Sequence, residues 1–274
     1  MQTLPSIAVL GAGSMAGAIV RGLIAAGADA ASVTVTTRSE ASADAWRAEG
    51  VNARALDADP DANAASVRGA GIVLLGVKPA MVPDALREVA DALPQDALVV
   101  SVAAGVTTAT MEALVPNAVV RTMPNTPALV GEAVTGVAAG SRAGEAELAA
   151  VRTLFEAVGT VVEVEEDRID ALSAISGSGP ATFFFLVEKL TETAERLGFS
   201  RDEARALAEQ TFVGSAALLS STGEDPAELR RRVTSPKGTT ERIIAVLDEA
   251  QLTDVFERAA QAAIARAKEL AAGS

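Results

Sequence analysis

The stretch Thr234-Ser235-Pro236-Lys237-Gly238-Thr239-Thr240 has residue types that can do chemistry. A proline stop, a glycine and two hydroxyls stand directly ahead of a helical pattern from Glu241 to Gln251. The first backbone N–H groups of a helix have no partner inside it, and the aligned peptide dipoles make that end positive. A small-residue loop leading into such an end cradles a carboxylate or a phosphate. An ordinary capped helix start is the other reading of the same residues. Near the opposite terminus, Gly11-Ala12-Gly13-Ser14-Met15-Ala16 has the G-x-G-x-x-A spacing of a dinucleotide loop, between an apolar run and a helical pattern. The first glycine allows the tight turn and the second lets backbone approach a pyrophosphate. Ala16 lets the helix lie close to its strand. Two candidate anion sites more than 200 residues apart suggest an enzyme that holds a cofactor and a small acidic substrate.

Further candidates fall at the ends of apolar runs. Thr36-Thr37-Arg38-Ser39 places a cation and hydroxyls where an NAD site carries an acid for the ribose. Thr37, Arg38 and Ser39 suit a 2′-phosphate instead, so NADPH is expected over NADH, with NADH still open. Arg38 as an ordinary solvated loop residue is the alternative. Gly76-Val77-Lys78-Pro79 ends another run, and Lys78 there is a cofactor donor or a surface lysine before a helix-starting proline. Ala103-Ala104-Gly105 leaves room for a nicotinamide ring. In Met123-Pro124-Asn125-Thr126-Pro127, two prolines stiffen the loop and fix the direction of Asn125. That amide suits a nicotinamide or substrate contact, or an Asx-capped turn. Ser176-Gly177-Ser178-Gly179-Pro180 breaks one helix and starts the next, where glycine serves close packing or a ligand.

These residues need a frame. Over roughly the first 160 positions, short β-branched apolar runs alternate with Ala-rich helical stretches. The expected strands are 6–10, 33–37, 72–77, 97–102, 118–122, 134–138 and 160–164. The first five are apolar almost throughout, as strands buried on both faces are. The pattern predicts an α/β, Rossmann-like doubly wound sheet. After about Glu165 strand signals stop and helices follow: 167–175, 180–197, 201–221, 226–232, 239–251 and 253–271. We therefore expect a dinucleotide-binding domain over 1–165 and an all-α domain over 166–274. Phe183-Phe184-Phe185-Leu186 makes the helix from Pro180 apolar almost all round, which implies a larger core or an oligomer interface.

Composition narrows the chemistry. Of 274 residues 49% are hydrophobic, enough for a sizeable core, and the net charge of −13 gives no electrostatic reason to bind nucleic acid or anionic lipid. There is no cysteine, histidine or tyrosine. Disulfides, thiol nucleophiles, the usual zinc ligands and the usual acid–base residue are thereby excluded, and no metal is expected. The lack of cysteine fits a cytoplasmic protein. The apolar start at Ile7–Val20 has patterned glycines and no basic residues before it, unlike a signal peptide. No run reaches the roughly 18 apolar residues a bilayer span needs.

Taken together, the chain resembles pyrroline-5-carboxylate reductase along nearly its whole length. The most specific pieces are Arg121–Pro127, Ser176–Pro180 and Val233–Thr240, with the Gly11 loop, Val77-Lys78-Pro79 and Ala103-Ala104-Gly105 agreeing in order and spacing. The resemblance implies reduction of 1-pyrroline-5-carboxylate to L-proline by NAD(P)H. It also implies a helical C-terminal domain that interlocks two subunits, and larger rings of dimers in some members. By position it implies cofactor contacts at Gly11–Ala16, Arg38, Asn63, Val77, Lys78, Pro79 and Ala104, and substrate contacts at Glu166, Thr239 and Thr240. The substrate carboxylate would rest on the N–H groups of Gly238, Thr239 and Thr240, with the Thr240 hydroxyl at the ring nitrogen as the catalytic contact. Three positions depart from the family: Lys237 for the usual glycine, Ser14 for asparagine, and Thr182 where an aromatic often follows Ala181. Another imine or β-hydroxyacid reductase of the same plan, or a non-catalytic NADPH-binding regulator, remains the alternative.

Overall fold

The computed structural model describes residues 4–271. The first compact unit runs to Ser178 and also takes in the chain from Ile264, while the second comprises Gly179–Ala263. By packing, then, the chain divides later than the change of texture at Glu165.

The first unit alternates strands and helices in chain order. These are β1 (Ile7–Leu10), α1 (Ser14–Ala25), β2 (Val33–Thr37), α2 (Glu40–Ala48), β3 (Asn52–Ala55), α3 (Ala62–Val67) and β4 (Ile72–Leu75). Then come α4 (Val82–Val89), β5 (Leu98–Ser101), α5 (Thr108–Glu112), β6 (Val119–Met123), β7 (Ala133–Ala139), α6 (Glu145–Glu156), β8 (Gly159–Glu163) and α7 (Ile169–Leu172). The eight strands form one sheet in the order β3-β2-β1-β4-β5-β6-β7-β8, parallel except at the β6–β7 pair. The doubly wound sheet is thus present, with one more strand than the sequence pattern suggested. β3 reads Asn-Ala-Arg-Ala, without a β-branched residue, and pairs only with β2 at the sheet's edge. Its pairing comes from its neighbour, not from its own propensity.

β1, β4 and β5 are buried at every residue because helices cover both sheet faces. Ile7 and Val9 of β1 pack with Ile19, Leu23, Trp46 and Phe155 on one face. Ala8 and Leu10 pack with Val82, Leu86 and Met111 on the other. Each fully buried Leu, Ile or Phe contributes roughly 1.5–3 kcal/mol. Chain order reverses between β2-β1 and β4-β5, and the crevice outside the carboxyl ends of β1 and β4 is where open α/β sheets take ligands.

The second unit is helical: α8 (Gly179–Arg196), α9 (Arg201–Thr222), α10 (Pro226–Arg232), α11 (Thr239–Glu249) and the first part of α12 (Leu252–Ala271). Ser200 and Glu203 cap α9 reciprocally, and Gly223 ends it in a left-handed conformation. Phe183 on α8 meets Phe212 on α9 edge-on, with ring centroids 5.3 Å apart. The unit nevertheless has almost no core, since its only fully buried hydrophobic side chains are Ala204 and Ala208. Phe184 is 64% exposed and Phe185 55%.

Candidate active site

The Gly11 loop is tied to the neighbouring strands before any ligand is considered. The N–H of Gly11 donates to the Thr36 hydroxyl at 3.0 Å, and the N–H of Ala12 donates to the Thr36 carbonyl at 2.9 Å. Gly11 has φ +82°, and a Cβ there would meet Val77 Cγ1 at 2.7 Å. The N–H of Gly76 donates to the Leu10 carbonyl at 2.9 Å. A Cβ on Gly76 would collide with the Gly11 carbonyl oxygen and lie 2.5 Å from the Ala16 Cβ. Gly76 is thus what lets the end of β4 abut this loop. Gly13 contrasts with both: a Cβ there would meet nothing within 4 Å, so its open side is available to a ligand. α1 starts at Ser14 with no side-chain cap and no acid in its first turn. A polarised, uncapped helix start behind an open glycine fits a pyrophosphate.

Around this loop, Arg38 is exposed beyond β2, and no ion pair engages it among the described residues. The Thr37 hydroxyl donates to the Ser39 carbonyl at 2.9 Å, and Ser39 is the N-cap residue of α2. These features fit a 2′-phosphate better than a free ribose hydroxyl. Lys78 and Pro79 lie exposed after β4, with Val77 half-buried. Asn63 in the first turn of α3 is buried; its Nδ2 donates to Glu88 Oε2 at 3.1 Å, and its Oδ1 has no partner. An orphaned acceptor at the carboxyl side of the sheet is one a nucleotide could satisfy.

The loop after β5 is held at both ends. The Ala103 N–H donates to Ser101 Oγ at 3.2 Å, and Thr122 Oγ1 donates to the Ser101 carbonyl at 2.9 Å. At its far end, Glu166 Oε1 accepts the Thr108 N–H at 2.8 Å and Oε2 accepts the Thr108 hydroxyl at 2.6 Å. Arg121, only 5% exposed, reaches Glu166 at 3.4 Å and Asp170 at 3.2 Å. Between these ties Ala104 stands exposed.

Two expectations need correcting. The Asn125 amide is not wholly free for a ligand: Nδ2 donates one N–H to the Ser176 carbonyl at 2.9 Å and Oδ1 accepts the Val134 N–H at 2.9 Å. Its fixed direction makes a staple between the β6–β7 loop and the turn Ser173–Gly177, whose Ser178 N–H donates back to the Ser173 carbonyl at 3.0 Å. Likewise the Gly238 N–H is committed to the Ser235 carbonyl at 3.0 Å. It closes a turn with Pro236 second and Lys237, at φ +61°, third, the place where such turns favour glycine. Of the expected cradle, Thr239 and Thr240 remain at the uncapped start of α11, with Thr240 half-buried. Sequence reasoning missed the roles of Gly76, Arg121 and Thr108, which arise from partners distant in sequence.

Among the described residues, no cluster of three or more acidic residues has the geometry to hold a metal ion, and no helix is long and apolar enough to cross a membrane.

Residues 6–105 match the family model described as NADP oxidoreductase, coenzyme F420-dependent, and residues 166–270 match pyrroline-5-carboxylate reductase dimerisation. A pyrroline-5-carboxylate reductase from Pseudomonas aeruginosa is 40% identical over 98% of each chain. One from Corynebacterium melassecola is 39% identical, covering 97% of this chain and 99% of its own. The solved structure of a pyrroline-5-carboxylate reductase from Coxiella burnetii superposes with a TM-score of 0.92 at 39% identity, over 98% of this chain and 99% of that one. With glycine loop, sheet order, helical region and full-length relatives in agreement, the chain belongs to the pyrroline-5-carboxylate reductase family.

Proposed function

We propose that this protein reduces 1-pyrroline-5-carboxylate to L-proline with NADPH, the final step of proline biosynthesis. The observation that carries this reading is the full-length match, at 40% identity, to a relative named for that reaction. Gly11–Ala16, Arg38, Asn63, Val77–Pro79 and Ala104 would hold the cofactor. Bound there, the dihydronicotinamide supplies the hydride that the imine carbon accepts. The N–H groups of Thr239 and Thr240 hold the substrate carboxylate at the positive end of α11, and the Thr240 hydroxyl hydrogen-bonds the ring nitrogen. With no histidine or tyrosine in the chain, positioning and polarisation are what these residues contribute.

The second unit supports a homodimer formed through the C-terminal helices. α8 has no fully buried residue, and Phe184, Phe185 and Leu186 are exposed along it. A second copy would cover that surface, and assembly into a ring of dimers is an extension of the same reading. The absence of cysteine supports a cytoplasmic location. The test is NADPH oxidation by the purified protein with pyrroline-5-carboxylate, with L-proline identified as product. No substrate-dependent oxidation under saturating conditions refutes the reading.

A further inference from the structure

We propose that Glu88 is a positioning residue for the cofactor site, fixing the orientation of the Asn63 carboxamide that the cofactor meets. The inference rests on the reading of Asn63 as a cofactor contact. Asn63 is 5% exposed in the first turn of α3, and its Nδ2 donates to Glu88 Oε2 at 3.1 Å. A carboxylate only accepts, whereas an amide has N–H groups on one side and a carbonyl oxygen on the other. The bond to Glu88 therefore forbids the flipped amide, which would set Oδ1 against the carboxylate. It leaves Oδ1 buried and without a partner, with the second N–H of Nδ2 also to spend. Asn63's own helix does not satisfy that oxygen: the nearby Ser66 hydroxyl donates to the Ala62 carbonyl at 2.7 Å. Buried acceptors are paired in all but a few cases, and a ligand that donates here pairs this one.

The packing of the two helices does not need the Glu88–Asn63 bond. α4 is held by Val82, Leu86 and Val89, and α3 by Ala62 and Val67, all fully buried. Glu88 itself is exposed near the end of α4 and enters no ion pair among the described residues. The adjacent Arg87 turns instead to Asp84, at 2.7 Å. What Glu88 adds is direction: from 25 positions away in sequence it decides which side of the Asn63 amide is left for the nucleotide.

The experiment measures NADPH affinity by nucleotide fluorescence, without substrate, on the full-length protein. The sequences are wild type, Glu88→Leu, Glu88→Gln, Asn63→Ala and the double variant Glu88→Leu with Asn63→Ala. Glu88→Leu frees the amide to flip and should weaken NADPH binding by about three- to tenfold, the size of one hydrogen bond. Glu88→Gln keeps a carbonyl acceptor and should bind more tightly than Glu88→Leu. Asn63→Ala should weaken binding at least as much as Glu88→Leu, and adding Glu88→Leu to it should change nothing further. Melting midpoints of the wild-type and Glu88→Leu apoproteins should agree within about 3 °C. The proposal is overturned if Glu88→Leu binds NADPH like the wild type, if Glu88→Gln is no better than Glu88→Leu, or if Glu88→Leu costs as much again in the Asn63→Ala background. A weakening that comes with a larger fall in the melting midpoint assigns the bond to packing and overturns it too. An Asn63→Ala variant that binds NADPH normally removes Asn63 from the cofactor site and takes the underlying reading with it. A defective Asn63→Ala beside a normal Glu88→Leu sinks this inference alone. The proposed reaction is decided separately, because NADPH affinity is read whether or not pyrroline-5-carboxylate turns over.

Discussion

The backbone N–H of Lys237 donates to Oε2 of Glu241 at 2.9 Å, closing the entrance to α11 over a residue held at φ +61°. A side chain in that conformation is strained, and the family's usual glycine is not. Lys237→Gly should therefore raise unfolding stability by about 0.5–1 kcal/mol, the strain relief exceeding the extra freedom of glycine in the unfolded chain. Turnover should stay near wild type, because Lys237 is exposed and forms no ion pair among the described residues. A denaturation midpoint equal to or below that of the wild type would contradict this. A raised substrate KM with weakened salt dependence would instead assign Lys237 to the substrate carboxylate.

The next residue tests the cradle. A Cβ on Gly238 would lie 2.7 Å from the Ser235 hydroxyl and 2.9 Å from its carbonyl oxygen. Gly238→Val should thus displace the turn and abolish most turnover. Thr240→Ala should lower kcat/KM by about ten- to a thousandfold, as for one lost hydrogen bond at a reacting group, with NADPH affinity intact. Near-normal steady-state kinetics in both variants would locate the substrate elsewhere.

Cofactor choice follows from Arg38, exposed just beyond β2 and in no ion pair among the described residues. The wild type should have a lower KM for NADPH than for NADH, and Arg38→Asp should reverse the order. A charge-assisted contact to phosphate is worth about 1.5–3 kcal/mol, roughly ten- to a hundredfold. A wild type preferring NADH, with no change on substitution, would rule this out.

Acid sensitivity can be traced to the α9 cap. The Ser200 hydroxyl and N–H, at 2.6 Å and 2.9 Å from Glu203 Oε2, hold the Glu203 carboxyl below its ordinary range. The folded form therefore binds this proton less readily than the unfolded chain. The stabilisation is full above the ordinary glutamate value of about 4.3 and is lost as pH falls through the folded value. Thermal melts of Glu203→Gln and wild type should differ at neutral pH and converge in acid. A gap that stays constant with pH would exclude this linkage.

Assembly is testable on α8. Phe184→Asp puts a charge on the apolar surface and should convert the proposed dimer into poorly folded or aggregating monomers, seen by light scattering with circular dichroism. A folded, active wild-type monomer at micromolar concentration would refute the dimer outright.

The sheet and its glycine loop were legible because their signals are local: β-branched runs, glycine spacing, and proline or glycine at helix ends. β3 was not, since an Asn-Ala-Arg-Ala strand owes its existence to β2. The proline bracket announced that Asn125 points in a fixed direction but not that Ser176 and Val134 take both ends of its amide. Gly76 looked like an ordinary strand end, because the Gly11 carbonyl that demands its missing Cβ lies 65 positions earlier. Arg121 was visible within a motif, yet its role depends on Glu166 and Asp170, which only the fold brings to it.

The Asn125 staple also bears on how a ligand is received. A carboxamide bound at both ends leaves the loop after β6 little configurational freedom, and that freedom is lost when the chain folds rather than when a ligand arrives. In the proposed site, this loop would therefore be ordered before a ligand arrives. Removing the carboxamide, as in Asn125→Ala, releases both ends and would move the ordering cost into the binding step, giving the complex a less favourable entropy of association.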